Sequence, residues 1–393
     1  MEPMQAQQAR ELVDEVGGLL VPRSRLRQLS LPARRIASVT SAIVAGLAGS
    51  RDLARADRLP SMAWRFDCDD VDPDELLAVH RRHRRGRIDV AVCVHGLMID
   101  ESCWTGAVNP FVDDLEGLFG WTTLFVRYNT GLHISLNGEL LADRLEELHA
   151  SWGPALGSIQ LLGHSMGGLV ARSALEVLRR RNATVLDHVE RVFLLCTPNG
   201  GVEVEQLRYG VESALQAAEN LVPALVEAMF PEERRNRTLR RFVTGGLLGV
   251  TASAAGRLPS LVARTARTIV AFPSDGMRDV RFGYMQRAEW AAHDNERLEF
   301  MTNHRRPLPP PDHVRAYAIA ASLWPGTTTV PSRVRNDGIV TVASVASKTL
   351  DFDDLQLTQQ GRFREVPLLV HQAAPVSHRV ADVIEHWVTG RGT

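Results

Sequence analysis

The chain has 393 residues, which exceeds the usual size of a single hydrophobic core and predicts one large domain with additions, or two domains. Its 45 Lys and Arg residues against 46 Asp and Glu residues give a net charge of -1, which excludes an electrostatic argument for nucleic-acid binding. The N-terminus carries acids in place of an apolar leader, and no uncharged apolar run reaches about 18 residues. The sequence therefore predicts a soluble, cytoplasmic protein.

Two amphipathic helices are predicted near the N-terminus, over residues 9–21 and 34–48, from apolar residues at three- and four-residue steps. Arginines flank the second helix, which would also suit a helix lying on a membrane surface. We favour packing against the body of the protein, because apolar helical stripes are usually buried. A third helix is predicted to begin at Asp72, since Pro73 and Glu75 complete a capping box.

From residue 87 the chain alternates between strands and helices. The strand-like runs are "IDVAVCVHG", "TTLFVRYN", "IQLLGHS" and "RVFLLCTPNGG". This alternation predicts a mostly parallel sheet covered by helices on both faces. It stops after residue 201 and resumes near residue 313. We therefore predict an N-terminal helical extension (1–86), a core in two parts (87–201 and 313–393) and a helical lid or cap insertion (202–312).

The stretch "IQLLGHSMGGLV" places Ser165 at a sharp turn between a strand and a helix. Gly163 and Gly167 stand where a Cβ would clash, and Gly168 allows the helix to pack close to the sheet. Such a turn holds a hydroxyl at a helix N-terminus, where backbone N–H groups favour a developing negative charge. This G-x-S-x-G pattern predicts a nucleophile elbow, with a glycine-rich turn and an incidental serine as the alternative.

A second turn, "VCVHGL", ends the first core strand at the sheet edge that carries the elbow. It can direct the backbone N–H of Leu97 toward a developing oxyanion, with the N–H of Met166 as the second donor. His95 in this turn is predicted to hold the loop in place without exchanging a proton.

An activated serine needs a histidine base, and the histidine needs an acid to fix its tautomer. The predicted acid is Asp337 in "VRNDGIVTVAS", which follows the strand at 313–321; Asp351, Asp353 and Asp354 are rivals. His378 is the predicted base, because it lies between the last strand and the last helix. His371 remains the alternative, since it ends the apolar run "VPLLVHQ".

These motifs together resemble the bacterial lipase and esterase branch of the α/β-hydrolases, and more distantly GPI inositol-deacylase-like proteins. The resemblance rests on "VHGL", "GHSMGGLVAR", "TPNGG", "NDGIVTVAS" and "VSHRVADVIEHW". It implies an α/β-hydrolase fold with Ser165 as nucleophile, Asp337 as acid, His378 as base, and Leu97 and Met166 as oxyanion donors. The sequence departs from the family at Asn199, where relatives usually have a histidine.

The resulting prediction is a serine hydrolase that cleaves carboxylic esters, an esterase or lipase acting on hydrophobic acyl esters. Thioester hydrolysis and acyl transfer would use the same residues, and a non-catalytic lipid-binding protein is the alternative from another class. No cofactor and no metal ion are predicted. The expected partner is a small-molecule or lipid ester, with no nucleic acid; peripheral membrane contact through the insertion or the N-terminal helices stays open.

Overall fold

The structure is a computed structural model that describes residues 31–48, 59–66, 69–82, 86–104, 110–203, 206–207, 274–290, 303–326, 328–347 and 354–390. One eight-stranded sheet runs through this part of the chain. Its strands are β1 (Ala63–Phe66), β2 (Asp69–Val71), β3 (Ile88–Val94), β4 (Thr122–Arg127), β5 (Leu156–His164), β6 (Val189–Leu195), β7 (Arg315–Ser322) and β8 (Phe363–Pro367).

The strand order is β2-β1-β4-β3-β5-β6-β7-β8. Strands β4, β3, β5, β6, β7 and β8 are parallel, while β1 pairs antiparallel with both β2 and β4. The chain thus leaves β3 and β5 at neighbouring positions in the middle of the sheet, and the loops that follow these strands meet at one edge. This mostly parallel sheet with flanking helices confirms the predicted α/β-hydrolase fold.

Helices cover both faces of the sheet. The helices are α1 (Leu31–Ala48), α2 (Pro73–Arg81), α3 (Pro110–Phe119), α4 (Ile134–Trp152), α5 (Met166–Arg181), α6 (Asp275–Phe282), α7 (Val342–Val345) and α8 (His378–Thr389). Val90, Val92 and Val94 of β3 pack in one buried cluster with α4 and α5. Ala91 and Cys93 of the same strand pack in a second cluster with α3 and α8. Burial on both faces explains why the strand reads as a continuous apolar run.

The sheet begins earlier in the chain than the sequence predicted. In β1, Arg65 pairs with Phe125 of β4, so residues 63–66 and 69–71 form two strands of the core sheet, and the prediction of a helical extension up to residue 86 is wrong for them. The strand was missed because it contains a charged residue, Arg65. The side chain of Arg65 is nevertheless buried, where it forms an ion pair with Glu101. The capping box is confirmed at the start of α2, where Asp72 Oδ1 accepts from the Glu75 amide at 2.8 Å.

Helix α1 packs against the loop that follows β3. Ala42 and Ala45 are buried, and a Cβ at Gly46 would collide with Met98. The hydroxyl of Ser38 forms a buried hydrogen bond with Asp100. The interpretation that this helix covers the body of the protein is confirmed, whereas the predicted helix at residues 9–21 lies outside the described residues.

The predicted lid lies mainly outside the described residues, at 208–273 and 291–302. The described segment 274–290 is packed into the core. Asp279 of α6 accepts from the Ile134 amide at the start of α4 (2.6 Å), and Ser173 of α5 donates to the Met285 carbonyl (2.8 Å). This segment therefore links two core helices, and a lid or cap stays a prediction for the rest of the insertion. Within the described ranges, no helix has the length and apolarity needed to cross a bilayer.

Candidate active site

Ser165 occupies a strained turn between β5 and α5. Its backbone has φ 54° and ψ −126°, a conformation that a non-glycine residue adopts rarely. A Cβ at Gly163 would clash with the backbone of Gly168, and one at Gly167 would clash with the carbonyl of Val94. The glycine pattern is therefore required by contact between the helix and the sheet, and the predicted elbow geometry is confirmed.

The turn after β3 lies directly against this elbow. A Cβ at Gly96 would stand 2.9 Å from the Ser165 Cβ, so only glycine allows the two turns to approach this closely. Within the described part of the chain, the amides of Leu97 and Met166 donate to no backbone or side-chain acceptor. Free amides beside a serine at a helix N-terminus fit an oxyanion site, and the assignment of Leu97 and Met166 as its donors remains a prediction.

His95 holds this turn together. Its Nδ1 lies 3.0 Å from the Gly96 carbonyl, its Nε2 accepts from the Tyr128 amide (3.4 Å), and its ring stacks on Tyr128 at 4.4 Å. Burial lowers the pKa of His95, so the ring stays neutral with the proton on Nδ1. The prediction that this histidine orients the loop is confirmed.

A buried carboxylate and imidazole form a pair near the elbow, and the histidine is His371. Nδ1 of His371 lies 2.7 Å from Oδ2 of Asp337, with both side chains almost fully buried. The Asp337 carbonyl also accepts from the His371 amide at 3.0 Å. Asp337 follows β7, and His371 begins a 3-10 turn (His371–Val376) after β8, so both come from carboxyl ends of neighbouring strands.

The predicted pairing of Asp337 with His378 is wrong. His378 begins α8 at the surface, with 63% of its side chain exposed, and its Nδ1 contacts Oδ2 of Asp114 at 2.9 Å. The error came from taking "VPLLVHQ" as one strand. Strand β8 ends at Pro367, and the chain turns at Leu368, whose φ is 52°. A loop of three residues, 368–370, therefore brings His371, not His378, to the carboxyl edge.

Hydrogen bonds fix the Asp337 carboxylate. Oδ1 accepts from the amides of Ile339 (3.0 Å) and Val340 (2.8 Å), which leaves Oδ2 for His371. Burial alone would raise the Asp337 pKa, but the charge and hydrogen bond of His371 and these two amides hold it below its ordinary value. The acid is therefore ionised at neutral pH and aligned on Nδ1.

Cys196 completes this cluster. Its Sγ, a carboxylate oxygen of Asp337 and a ring nitrogen of His371 lie within 4.8 Å of one another, a grouping with the donor types of a metal site. The hydrogen bond between Asp337 and His371 already uses atoms that an ion would need. Burial and the Asp337 charge raise the Cys196 pKa, which favours the thiol over the metal-binding thiolate. The arrangement suits a hydrogen-bonded acid and base better than an ion.

Asp354, a rival for the acid, belongs to a different buried cluster. Its carboxylate contacts Arg172 at 2.7 Å and Arg305 at 3.4 Å. Arg172 also donates to Asn199 Oδ1 (2.9 Å), and the side-chain Nδ2 of Asn199 donates to the Val345 carbonyl (2.8 Å). Asn199, where the sequence departs from the resembling family, is thus a buried structural link. The other rivals, Asp351 and Asp353, lie outside the described residues.

Replacement of Asp354 by alanine is expected to destabilise the protein by about 3–5 kcal/mol, because it leaves the Arg172 guanidinium buried without its counter-charge. The free energy of unfolding in urea measures this loss. Asp143→Ala is the control, since Asp143 pairs with Arg181 at the surface and should cost about 1 kcal/mol or less. Equal losses in the two variants would contradict the assignment of Asp354 as the centre of a buried charge cluster.

The ion pair of Asp354 and Arg172 also makes the stability of the protein depend on pH. Burial opposes ionisation of Asp354, but the charges of Arg172 and Arg305 outweigh it and hold its pKa at about 2. A lowered folded-state pKa stabilises the protein above the ordinary pKa of about 3.9, and this contribution is lost as the pH falls from there toward 2.

No protein-family model and no curated protein sequence matches the chain significantly. Solved structures similar to it include a lipase from Bacillus licheniformis in its mature form, 17% identical over 78% of this chain and 94% of that one, with a TM-score of 0.43. A thermophilic esterase from Thermogutta terrifontis is 17% identical over 78% and 91%, with a TM-score of 0.34. A thioesterase from the prodiginine biosynthetic pathway in Streptomyces coelicolor is 16% identical over 77% and 85%, with a TM-score of 0.36.

Proposed function

We propose that the protein is a serine hydrolase of carboxylic esters, with Ser165 as nucleophile, His371 as general base and Asp337 as the acid that orients it. The observation that carries the proposal is the strained Ser165 turn beside a buried Asp337–His371 hydrogen bond of 2.7 Å. If Ser165 were only incidental to a glycine-rich turn, an ionised carboxylate hydrogen-bonded to an imidazole at the same sheet edge would have no explanation.

The pair defines the tautomer of the base. Because the Asp337 carboxylate accepts from Nδ1 of His371, the ring proton is on Nδ1 and Nε2 is left as the acceptor for the Ser165 hydroxyl. The hydroxyl transfers its proton to Nε2 as Oγ attacks the ester carbonyl. The imidazolium that forms is stabilised by Asp337, and the amides of Leu97 and Met166 are the proposed donors to the oxyanion.

Collapse of the tetrahedral intermediate breaks the bond to the alcohol, which leaves with the proton from Nε2 and gives an acyl-Ser165 ester. Water then repeats the sequence: it gives a proton to Nε2, attacks the acyl carbon and releases the carboxylic acid as Ser165 regains its hydrogen. Thioesters and other acyl acceptors would pass through the same acyl-enzyme. Hydrophobic acyl esters are the proposed substrates, on the support of the apolar sequence of the predicted insertion at 202–312.

A fluorophosphonate probe is expected to label Ser165 covalently, because it reacts only with an activated serine. Labelling is followed by gel fluorescence, the modified peptide is identified by mass spectrometry, and hydrolysis of p-nitrophenyl butyrate is measured in parallel. Ser165→Ala should lose both signals, whereas Ser151→Ala, at the C-terminal end of α4, should keep them. A folded wild-type protein that is neither labelled nor active would refute the proposal.

A further inference from the structure

The residue before the nucleophile contacts the backbone of the proposed base. His164 ends β5 and is buried, with 1% exposure. Its Nε2 lies 3.0 Å from the carbonyl oxygen of His371, and the two rings are 4.9 Å apart between centroids. A side chain from the nucleophile elbow thus reaches the loop that carries the base.

The chemistry of this contact fixes the state of His164. A carbonyl oxygen only accepts, so Nε2 carries the hydrogen and donates it to His371. Nδ1 is buried and has no hydrogen-bond partner within the described part of the chain. Burial first, and then the neighbouring His371, lower the His164 pKa to about 3, so the ring is neutral wherever an esterase would work.

Neutrality matters because of what surrounds the ring. The charges of His371, Asp337 and His95 act on the pKa of His164, and the effect of His371 is the largest of the three. A positive charge at this distance would disfavour the imidazolium that His371 must become during catalysis. A neutral N–H donor holds the base loop without this penalty.

The backbone of His371 is therefore held on both sides. Its amide donates to the Asp337 carbonyl at 3.0 Å, and its carbonyl accepts from His164 at 3.0 Å. We propose that His164 is a positioning residue that fixes the backbone of His371 relative to the nucleophile, so that its imidazole stays aligned with both Asp337 and Ser165. This role rests on the proposed function of Ser165, His371 and Asp337.

A packing role is the alternative, because His164 also meets Trp104 edge-on at 6.4 Å within the core. A histidine used only for packing gains nothing from a buried ring nitrogen without a partner. The hydrogen bond to His371 is what offsets that cost here. The two roles differ in one respect: only positioning requires a donor at the place of Nε2.

The test compares three variants at this position. Gln places an amide N–H₂ near the place of Nε2, Asn carries the same group but is too short to reach it, and Leu fills the space without a donor. For p-nitrophenyl butyrate, we expect His164→Gln to keep most of kcat. His164→Asn and His164→Leu should lower kcat about 100-fold with little change in KM, as expected when a catalytic group is displaced by about 1 Å.

The pH profile separates positioning from packing. A base loop released from His164 loses part of its contact with Asp337, which destabilises the imidazolium. The acid limb of kcat/KM should then move to lower pH in His164→Asn and His164→Leu, and stay in place in His164→Gln. A defect of packing alone would lower the urea midpoint without moving this limb.

Two results would overturn the role. Equal kcat values for Gln and Asn, in variants whose folding is checked by urea titration, would show that the donor has no effect on the base. If Leu fails to fold, the Gln and Asn pair still decides. Ser165→Ala is measured in the same assay to keep the two proposals distinct. A wild type without turnover or labelling refutes the serine hydrolase and this role with it. An active wild type with unaffected His164 variants refutes only the role of His164.

Discussion

Replacing His371 by alanine is expected to lower kcat by at least about 10⁴-fold, whereas His378→Ala leaves turnover near that of the wild type. His371 is the histidine whose Nδ1 donates to Asp337, and its loss leaves the Ser165 hydroxyl without the proposed acceptor. His378 is exposed and contacts Asp114 on the neighbouring helix α3, where it faces neither the acid nor the elbow.

Steady-state hydrolysis of p-nitrophenyl butyrate and the rate of fluorophosphonate labelling measure this difference. The His378 variant is the matched control, because it also removes a histidine that is hydrogen-bonded to a carboxylate. The urea midpoint of each variant shows whether lost turnover reflects lost folding, since His371 is buried. A folded, active His371→Ala protein beside an inactive His378→Ala protein would return the role of base to His378.

The central strands and the elbow could be predicted from the sequence because their signals are local. A strand buried on both faces is a continuous apolar run, as in β3, and a turn as tight as that of Ser165 requires glycines at fixed steps. The position of Asp337 followed from chain order and from the turn residues around it.

The features that the sequence did not predict depend on distant partners. Strand β2 is mostly acidic and β1 carries Arg65, whose charge is compatible with burial because Glu101 and Asp70 lie against it. The choice between His371 and His378 depended on where β8 ends. Pro367 was the available signal, since proline donates no hydrogen bond to a sheet and argues against a long continuous strand through that position.

Asp337→Asn is expected to lower kcat by about 10⁴-fold while the fold persists, because it forces the wrong tautomer on the base. The amides of Ile339 and Val340 both donate to Oδ1, so this position must hold an acceptor. In the variant the asparagine oxygen takes it, and the N–H₂ group is turned toward His371. Nδ1 then has to accept a hydrogen bond, the ring proton moves to Nε2, and Nε2 can no longer take the proton of Ser165.

The measurement is kcat for p-nitrophenyl butyrate together with the urea midpoint, with Asp114→Asn as the matched control. Asp114 also contacts a histidine Nδ1, at 2.9 Å, but at the surface and outside the proposed site, so its variant should keep full turnover. Activity of Asp337→Asn close to that of wild type would mean that His371 does not need the carboxylate to present Nε2. Because the two amides leave asparagine only one orientation, such a result would contradict the proposed proton transfer itself and not merely the strength of one hydrogen bond.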